Sequence, residues 1–422
     1  MSRAPILSLA VKSLMNRRLT VGLTLFALAV SMMLVLGVEK VRGEAKLSFA
    51  NTISGADLIV GARSGSIQLL LYSVFRIGNA TNNISWKSYQ QIAARPGVAW
   101  TVPMSLGDSH RGFRVLGTTG DFFWHYRHGR KRNLKFSGGK PFNDLFDAVV
   151  GSDVAKALGY NVGDAVVVAH GLGREGFKTH SDKPFKVSGV LAKTGTPVDR
   201  TVFVSLEAIE AIHVDWQSGS PIPGMSIGAD KVRQMKFTPK AITAVLVGTK
   251  SRFGAFGLQR SINEFPAEPL LAILPGVALQ ELWDLMGTAE LALSVISVFV
   301  IAAGLLGMVT MLLAGLNERR RELAILRSVG AQPRHLFALL AAEAGTLSVA
   351  AAGAALALLY GVFLIAQPIL DAEFGLFIEI TSPSRHDLTV LGMMIVAGTL
   401  AGFLPAWRAC RQALADGLIV RT

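Results

Sequence analysis

Cysteine is all but missing: Cys410 stands alone among 422 residues, so no intrachain disulfide can form. Any part folded outside a membrane must therefore hold itself together by its apolar core, and cysteine usage says nothing about redox compartment. Charge is scarce as well. Only 17% of the residues are charged, against about 25% in an average soluble domain. Hydrophobic residues make up 51%, and the mean hydropathy is +0.43. Catalytic signatures are missing too. The chain has no G-x-x-x-x-G-K-[ST], so it has no loop that cradles ATP phosphates. It has no H-E-x-x-H and no cysteine pair. Its apolar runs hold almost no ionisable residue except Glu343, which argues against a proton relay through mid-membrane carboxylates. No catalytic residue, cofactor or resident metal is expected.

What is present is a set of four apolar runs. A spanning helix needs about 20 apolar residues. Thr20–Val38, Leu291–Leu316, Ala344–Ala366 and Leu388–Ala406 meet that length. The first is longer than a signal-peptide core and is followed by Glu39, Lys40, Arg42, Glu44 and Lys46, so it reads as an uncleaved anchor. Orientation comes from the short flanks. Arg3, Lys12, Arg17 and Arg18 precede the first run; Arg319, Arg320, Arg321, Arg327 and Arg334 lie between the second and third; Arg408, Arg411 and Arg421 follow the fourth. The segment between the third and fourth is acidic, with Asp371, Glu373, Glu379 and Asp387 against Arg385. Positive charge collects on the cytoplasmic side. Both termini and the 317–335 segment are thus expected in the cytoplasm, and the long stretch between the first two runs outside. Net charge is +13, but with these runs the basic residues read as membrane edges rather than a nucleic-acid surface.

The expected fold class is an integral membrane protein of four transmembrane α-helices with a large α+β extracytoplasmic domain between the first and second. The boundaries expected are a cytoplasmic amphipathic helix over 1–19, spans at 20–38, 288–316, 336–366 and 388–407, an outer domain over 39–285, a cytoplasmic helix over 317–335, an outer loop over 367–387 and a cytoplasmic tail over 408–422. Ala4–Asn16 has the apolar-and-basic pattern of a helix on the inner leaflet. Inside the outer domain, helices are expected at 85–94 with Ser85 as cap, 152–158 closed by Gly159, 206–212 with Ser205 as cap, and 253–265. Strands are expected at 98–102, 165–169, 185–191, 201–204 and 242–247. Both edges, 39–51 and 277–287, read as helical continuations of the spans, either as a stalk or packed on the domain.

Two outer features invite a ligand. His125 and His128 would share one helix face, and His170 and His180 flank a glycine-rich loop, but no Cys or Glu spacing completes a metal site. The run from His125 to Lys135 is strongly basic and suits anionic head groups, an acidic substrate, a partner protein or plain solvent.

The sharpest signal is Asn317-Glu-Arg-Arg-Arg-Glu-Leu-Ala-Ile-Leu-Arg-Ser-Val-Gly-Ala-Gln-Pro-Arg334. Arginines alone would only anchor the chain at the membrane edge. Glu318, Glu322 and the ordered Leu-Arg-Ser-Val-Gly-Ala call for more. A charged helix with an apolar patch, ended by Gly330 and restarted at Pro333, is shaped to dock on a soluble partner.

Glu318 to Ala331 resembles the signature that follows the second span in the MacB/FtsX-like permeases of ABC transporters, which include LolC and LolE. Asp57-Leu-Ile-Val-Gly-Ala-Arg63 resembles a subset of them, and the order of span, outer domain and three spans is similar over essentially the whole chain. The resemblance implies a non-catalytic inner-membrane subunit that works with a cytoplasmic ABC ATPase, which would be a second polypeptide holding the ATP and Mg. It implies a second permease copy or a paralogue, contact with membrane lipid and, in some members, a periplasmic partner. The coupling helix would then comprise Glu318, Arg320, Glu322 and Arg327 as polar contacts, Leu323, Ala324 and Leu326 as apolar ones, and Gly330 as its end. Export or extraction of a substrate is the function implied. An FtsX-like role, in which ATP-driven motion controls an outer enzyme, is the alternative.

Overall fold

The structure is a computed structural model that describes residues 10, 12–15, 17–52, 55–129, 131–170, 180–217, 220–221, 227–251, 253–318, 320–369 and 382–415. Most of the expected N-terminal helix, the 171–179 loop, Arg130, Arg319, Asp371, Glu373 and Glu379 lie outside those residues. The chain divides into two units. One holds residues 1–44, 287–369 and 378–422, and the other holds 45–286 and 370–377.

Among the described residues, four helices are long and apolar enough to cross a membrane. They fall within α1 (Arg18–Thr52), α8 (Pro275–Glu318), α10 (Pro333–Ile369) and the consecutive α11 (Arg385–Ala401) and α12 (Phe403–Ala415). Lipid is as apolar as leucine, so helices in it associate through close packing of small residues. That pattern is present in the first unit. A methyl group on Gly304 of α8 would meet Ser31 of α1, and one on Gly398 of α11 would meet Ser348 of α10. Gly345 faces Thr399, and Gly402 sits against Ala344. α11 begins with a full capping box, in which Ser384 Oγ accepts from Asp387 N at 3.1 Å and Asp387 accepts from Ser384 N at 2.8 Å.

The second unit is an α+β domain on a mixed sheet. Its strands are β1 (Leu58–Ala62), β2 (Val98–His110), β3 (Phe113–Thr118), β6 (Phe136–Gly139), β7 (Asp147–Val150), β8 (Ala165–Val166), β9 (Ala169–His170), β10 (Phe185–Leu191), β11 (Thr201–Ser205), β12 (Ala244–Thr249) and β13 (Leu270–Ile273). A separate hairpin pairs β4 (Arg127–His128) with β5 (Arg132–Asn133). The main path runs β13-β1-β12-β2-β3-β11-β7-β10-β6, with β9 on β2 and β8 on β10. The pairs β11–β3 and β10–β7 are parallel and the rest antiparallel.

Period-2 alternation sends neighbours to opposite faces. Ile59, Val149 and Phe203 enter one core with Leu69, Leu70 and Phe122. Leu58 and Val60 enter a second with Leu258 and Ile262, and Ala148, Val150, Val202 and Val204 a third with Val154, Ala208 and Ile212. Helices α2 (Ser66–Ser73), α3 (Trp86–Ala93), α4 (Asp121–His125), α5 (Ser152–Leu158), α6 (Leu206–Ile212) and α7 (Gly254–Asn263) cover the sheet.

The sequence-based elements hold with local changes. Ser85 caps α3 by accepting from Ser88 N, Ser205 caps α6 by accepting from Ala208 N, and Gly159 closes α5 at φ 71°. The strand expected over 98–102 runs on to His110, and the one expected over 165–169 breaks into β8 and β9. Both edge helices are continuous with their spans. Within the second unit they also pack: Phe49 of α1 meets Phe75 at 4.5 Å and Trp283 of α8 at 5.5 Å, and Ala278 is buried in the core.

Candidate functional site

The segment after α8 forms its own helix, α9 (Arg320–Ser328). Its end is set by backbone chemistry. Gly330 takes φ 97°, its N–H donates to Arg327 O at 2.9 Å, and Ala331 N donates to Leu326 O at 3.0 Å. This is a Schellman closure, which needs a left-handed residue at the position glycine occupies. Pro333 then opens α10, where the missing N–H costs nothing. Gln332 N donates to His335 Nδ1 at 3.2 Å and tightens the turn.

One face of α9 belongs to the spans. Leu323 is 6% exposed and packs with Leu316 of α8, Leu336 and Leu340 of α10, and Ala406 and Ala409 of α12. Leu326, Phe337 and Cys410 border the same cluster, Phe337 lies 5.1 Å from Phe403, and Cys410 Sγ donates to Pro333 O at 3.3 Å. The other face is open: Ala324, Ile325, Ser328 and Val329 are exposed, Ile325 at 57% and Val329 at 83%. Glu322 and Gly330 are exposed as well, and Arg327 is half-buried. Glu318 closes α8 and Arg320 opens α9; their side chains lie outside the described part of the structure.

The expected coupling residues thus divide. The structure brings Leu323 and Leu326 into the span cluster and leaves Ala324 open. It adds Ile325 and Val329, which sequence reasoning missed. The signal that would have found them is helical spacing, since positions 325 and 329 are four apart and share a face.

In the second unit the histidines do not form a shared helix face. α4 ends at His125, Tyr126 turns extended at ψ 132°, and His128 sits on β4 instead. A helix of five residues is too short to carry both. His125 stacks on Trp100 at 4.5 Å and 12° between planes. His180 is buried edge-on to His213 at 4.8 Å, and the side chain of His170 lies outside the described part. Among the described residues no group of three His, Cys, Asp or Glu side chains is placed to hold a metal.

Within the segment 57–63, Leu58–Ala62 form the buried strand β1 between β12 and β13, flanked by the half-buried Asp57 and the exposed Arg63. Asp57 accepts from Thr249 N at 2.7 Å and Thr249 Oγ1 at 2.8 Å, and Leu69 and Tyr72 close over Gly61.

Comparison with known families decides the assignment. The MacB-like periplasmic core domain matches residues 21–244, more than half of the chain, and the FtsX-like permease C-terminal domain matches residues 294–414. This chain belongs to the MacB/FtsX-like ABC permeases. No curated protein matches it by sequence. Among solved structures, the periplasmic region of MacB from Actinobacillus actinomycetemcomitans aligns over 55% of the permease and 95% of its own chain, at 11% identity and a TM-score of 0.33. The extracellular domain of the noncanonic ABC-type transporter YknZ from Gram-positive bacteria aligns over 51% of the permease and 98% of its own chain, at 11% identity and a TM-score of 0.30. At those scores neither alignment carries an argument. The family consists of inner-membrane components of ABC transporters that are generally not catalytic themselves, and it implies a cytoplasmic ABC ATPase as partner.

Proposed function

We propose that the permease couples ATP hydrolysis in a separate ATPase subunit to movement of its outer domain, and so drives export or extraction of a substrate. The observation that carries this reading is the two-faced helix α9. Its buried face, Leu323 and Leu326, is packed onto the ends of α8, α10 and α12. Its open face carries Ala324, Ile325 and Val329. A partner gripping the open face would move three helix ends together, because close-packed interiors transmit displacement rather than absorb it. α8 is a single helix of 44 residues, about 66 Å of rise, that leads from the outer-domain residues to α9. In this reading Glu318, Arg320, Glu322 and Arg327 flank the apolar strip with polar contacts, and Gly330 fixes its end. The ATP and Mg belong to the partner, both termini lie in the cytoplasm, and a second copy or a paralogue completes the assembly.

The test is affinity purification of the tagged permease from native membranes, with identification of what travels with it. An ABC ATPase recovered with the permease, and lost on ATPase-site mutation only in activity, supports the reading. Recovery of no ATPase under conditions that retain the four spans refutes it. A cell-wall hydrolase bound on the outer side, with no substrate moved in reconstituted vesicles, would replace transport by control of that enzyme.

A further inference from the structure

The basic run of the outer domain folds into a defined cleft. β4 and β5 pair His128 with Arg132 and Arg127 with Asn133. The intervening bend takes Gly129 at φ 56° and Lys131 at φ 60°, with Lys131 N donating to Gly129 O at 2.9 Å. Leu134 is buried behind the hairpin, and Ala192 N donates to Lys135 O at 2.8 Å, which fastens it to the end of β10. Opposite stands the turn 192–196. It is held from beneath by Asp199, itself 1% exposed, which accepts from Thr194 N at 2.9 Å, Thr194 Oγ1 at 2.8 Å and Gly195 N at 2.7 Å.

Between the two lies a cleft of about 460 Å³, lined by His128, Lys131, Arg132, Lys135, Lys193 and Thr194 among others, with no carboxylate among the described residues of its lining. That volume is within the range of small-molecule sites, and larger than a bare anion needs. Lys193 is engaged by Asp153 at 2.6 Å. Among the described residues none pairs with the side chains of Lys131, Arg132 or Lys135. Three uncompensated cations on a fixed frame raise the local potential and favour a multiply charged anion. Arginine adds a planar fork that suits a tetrahedral oxyanion in two-pronged contact. Burial holds the His128 imidazole below its usual range, with Arg132 adding to the effect, so at neutral pH it offers a neutral ring rather than a fourth free charge.

We propose that this cleft binds a phosphate ester, with Arg132 and Lys135 as its principal ligands and Lys131 at the rim. The site belongs to the second unit and α9 to the first, and the proposal does not depend on which ATPase drives the permease.

The experiment uses the full-length permease in detergent and in phosphatidylcholine nanodiscs. Glycerol 3-phosphate and inorganic phosphate are titrated calorimetrically, and phosphatidic acid is added to the nanodiscs and scored by native mass spectrometry. The variants are Arg132→Glu combined with Lys135→Glu, and Lys186→Glu as a control on an exposed lysine outside the cleft. Binding of at least one phosphate ester is expected, weakened about tenfold or more in the double variant, since two charge-assisted contacts are replaced by like-charge repulsion. The control should stay within about twofold, and added salt should weaken binding. Binding of glycerol 3-phosphate identifies a soluble ester as the source, and binding of phosphatidic acid alone identifies a lipid head group. No binding of any ester, equal binding by the double variant, or equal loss in Lys186→Glu would each overturn the proposal, the last by reducing it to net charge.

Discussion

A pair of substitutions on α9 separates docking from packing. Ile325 is 57% exposed, and full burial of an isoleucine is worth about 1.5–3 kcal/mol, so covering the rest of it in a partner groove contributes about 1–1.7 kcal/mol. Ile325→Asp forfeits that and places a carboxylate in the groove, which adds about 2 kcal/mol or more. Together they amount to about 3 kcal/mol, roughly a hundredfold in Kd. The helix itself should survive, because its other face is untouched. Leu323→Ala is the opposite case. It opens a cavity among Leu316, Leu336, Leu340, Ala406 and Ala409, at a cost of about 2–5 kcal/mol of fold stability. The assay pairs co-purification of the ATPase with thermal melting of the permease in detergent. Ile325→Asp should lose the ATPase at an unchanged melting temperature, and Leu323→Ala should melt lower while the folded fraction still binds. Retention of the ATPase by Ile325→Asp within about twofold would refute the docking role of this face. Loss of melting temperature in Ile325→Asp would mean that a second copy or a span already covers Ile325.

Three further outcomes are expected. Asp215→Ala removes the buried partner of Lys183, whose Nζ lies 2.8 Å from Asp215, and leaves this fully buried lysine only the partly exposed Asp182 at 2.6 Å; it should cost about 1–3 kcal/mol in chemical denaturation of the outer domain. Burial alone would raise the Asp215 carboxyl, but hydrogen bonds from Lys183 and Ile227 N bring it below the ordinary value of 3.8; its contribution is complete at neutral pH and fades as pH falls below that value. Burial pushes the His110 imidazole below 6.5, Val167 O and Tyr160 holding its two nitrogens, so the unfolded chain binds the extra proton and stability should fall as pH drops below 6.5; His110→Phe should flatten that slope in melting curves taken against pH. On a Cys410→Ser background, Ser181→Cys should react with impermeant thiol reagents from outside and Ser328→Cys should not, both positions being exposed; the reverse labelling would invert the orientation and move α9 away from any cytoplasmic ATPase.

Some of this was legible in the residues alone. Helix length and polarity are local, so Thr20–Val38 and Leu291–Leu316 announce themselves by composition. Caps are local as well, and Ser85, Ser205, Gly159 and Gly330 all do what their types dictate. The motif Glu318–Ala331 and the order of the apolar runs were enough to name the family.

The rest depended on what packs against what. Leu323 and Ile325 are both apolar and two apart, and nothing in composition says which is covered; the ends of α8, α10 and α12 decide it by closing over Leu323. His125 and His128 have helical spacing, yet the chain turns extended at Tyr126, and pairing with β5 carries His128 onto a hairpin. The basic run, too, was only a charge pattern until Ala192 and the Asp199-braced turn gave it an opposite wall. Local chemistry fixes elements and their ends because its partners lie within a few residues; which face of an element meets another is set by contacts distant in sequence, and no local pattern encodes them.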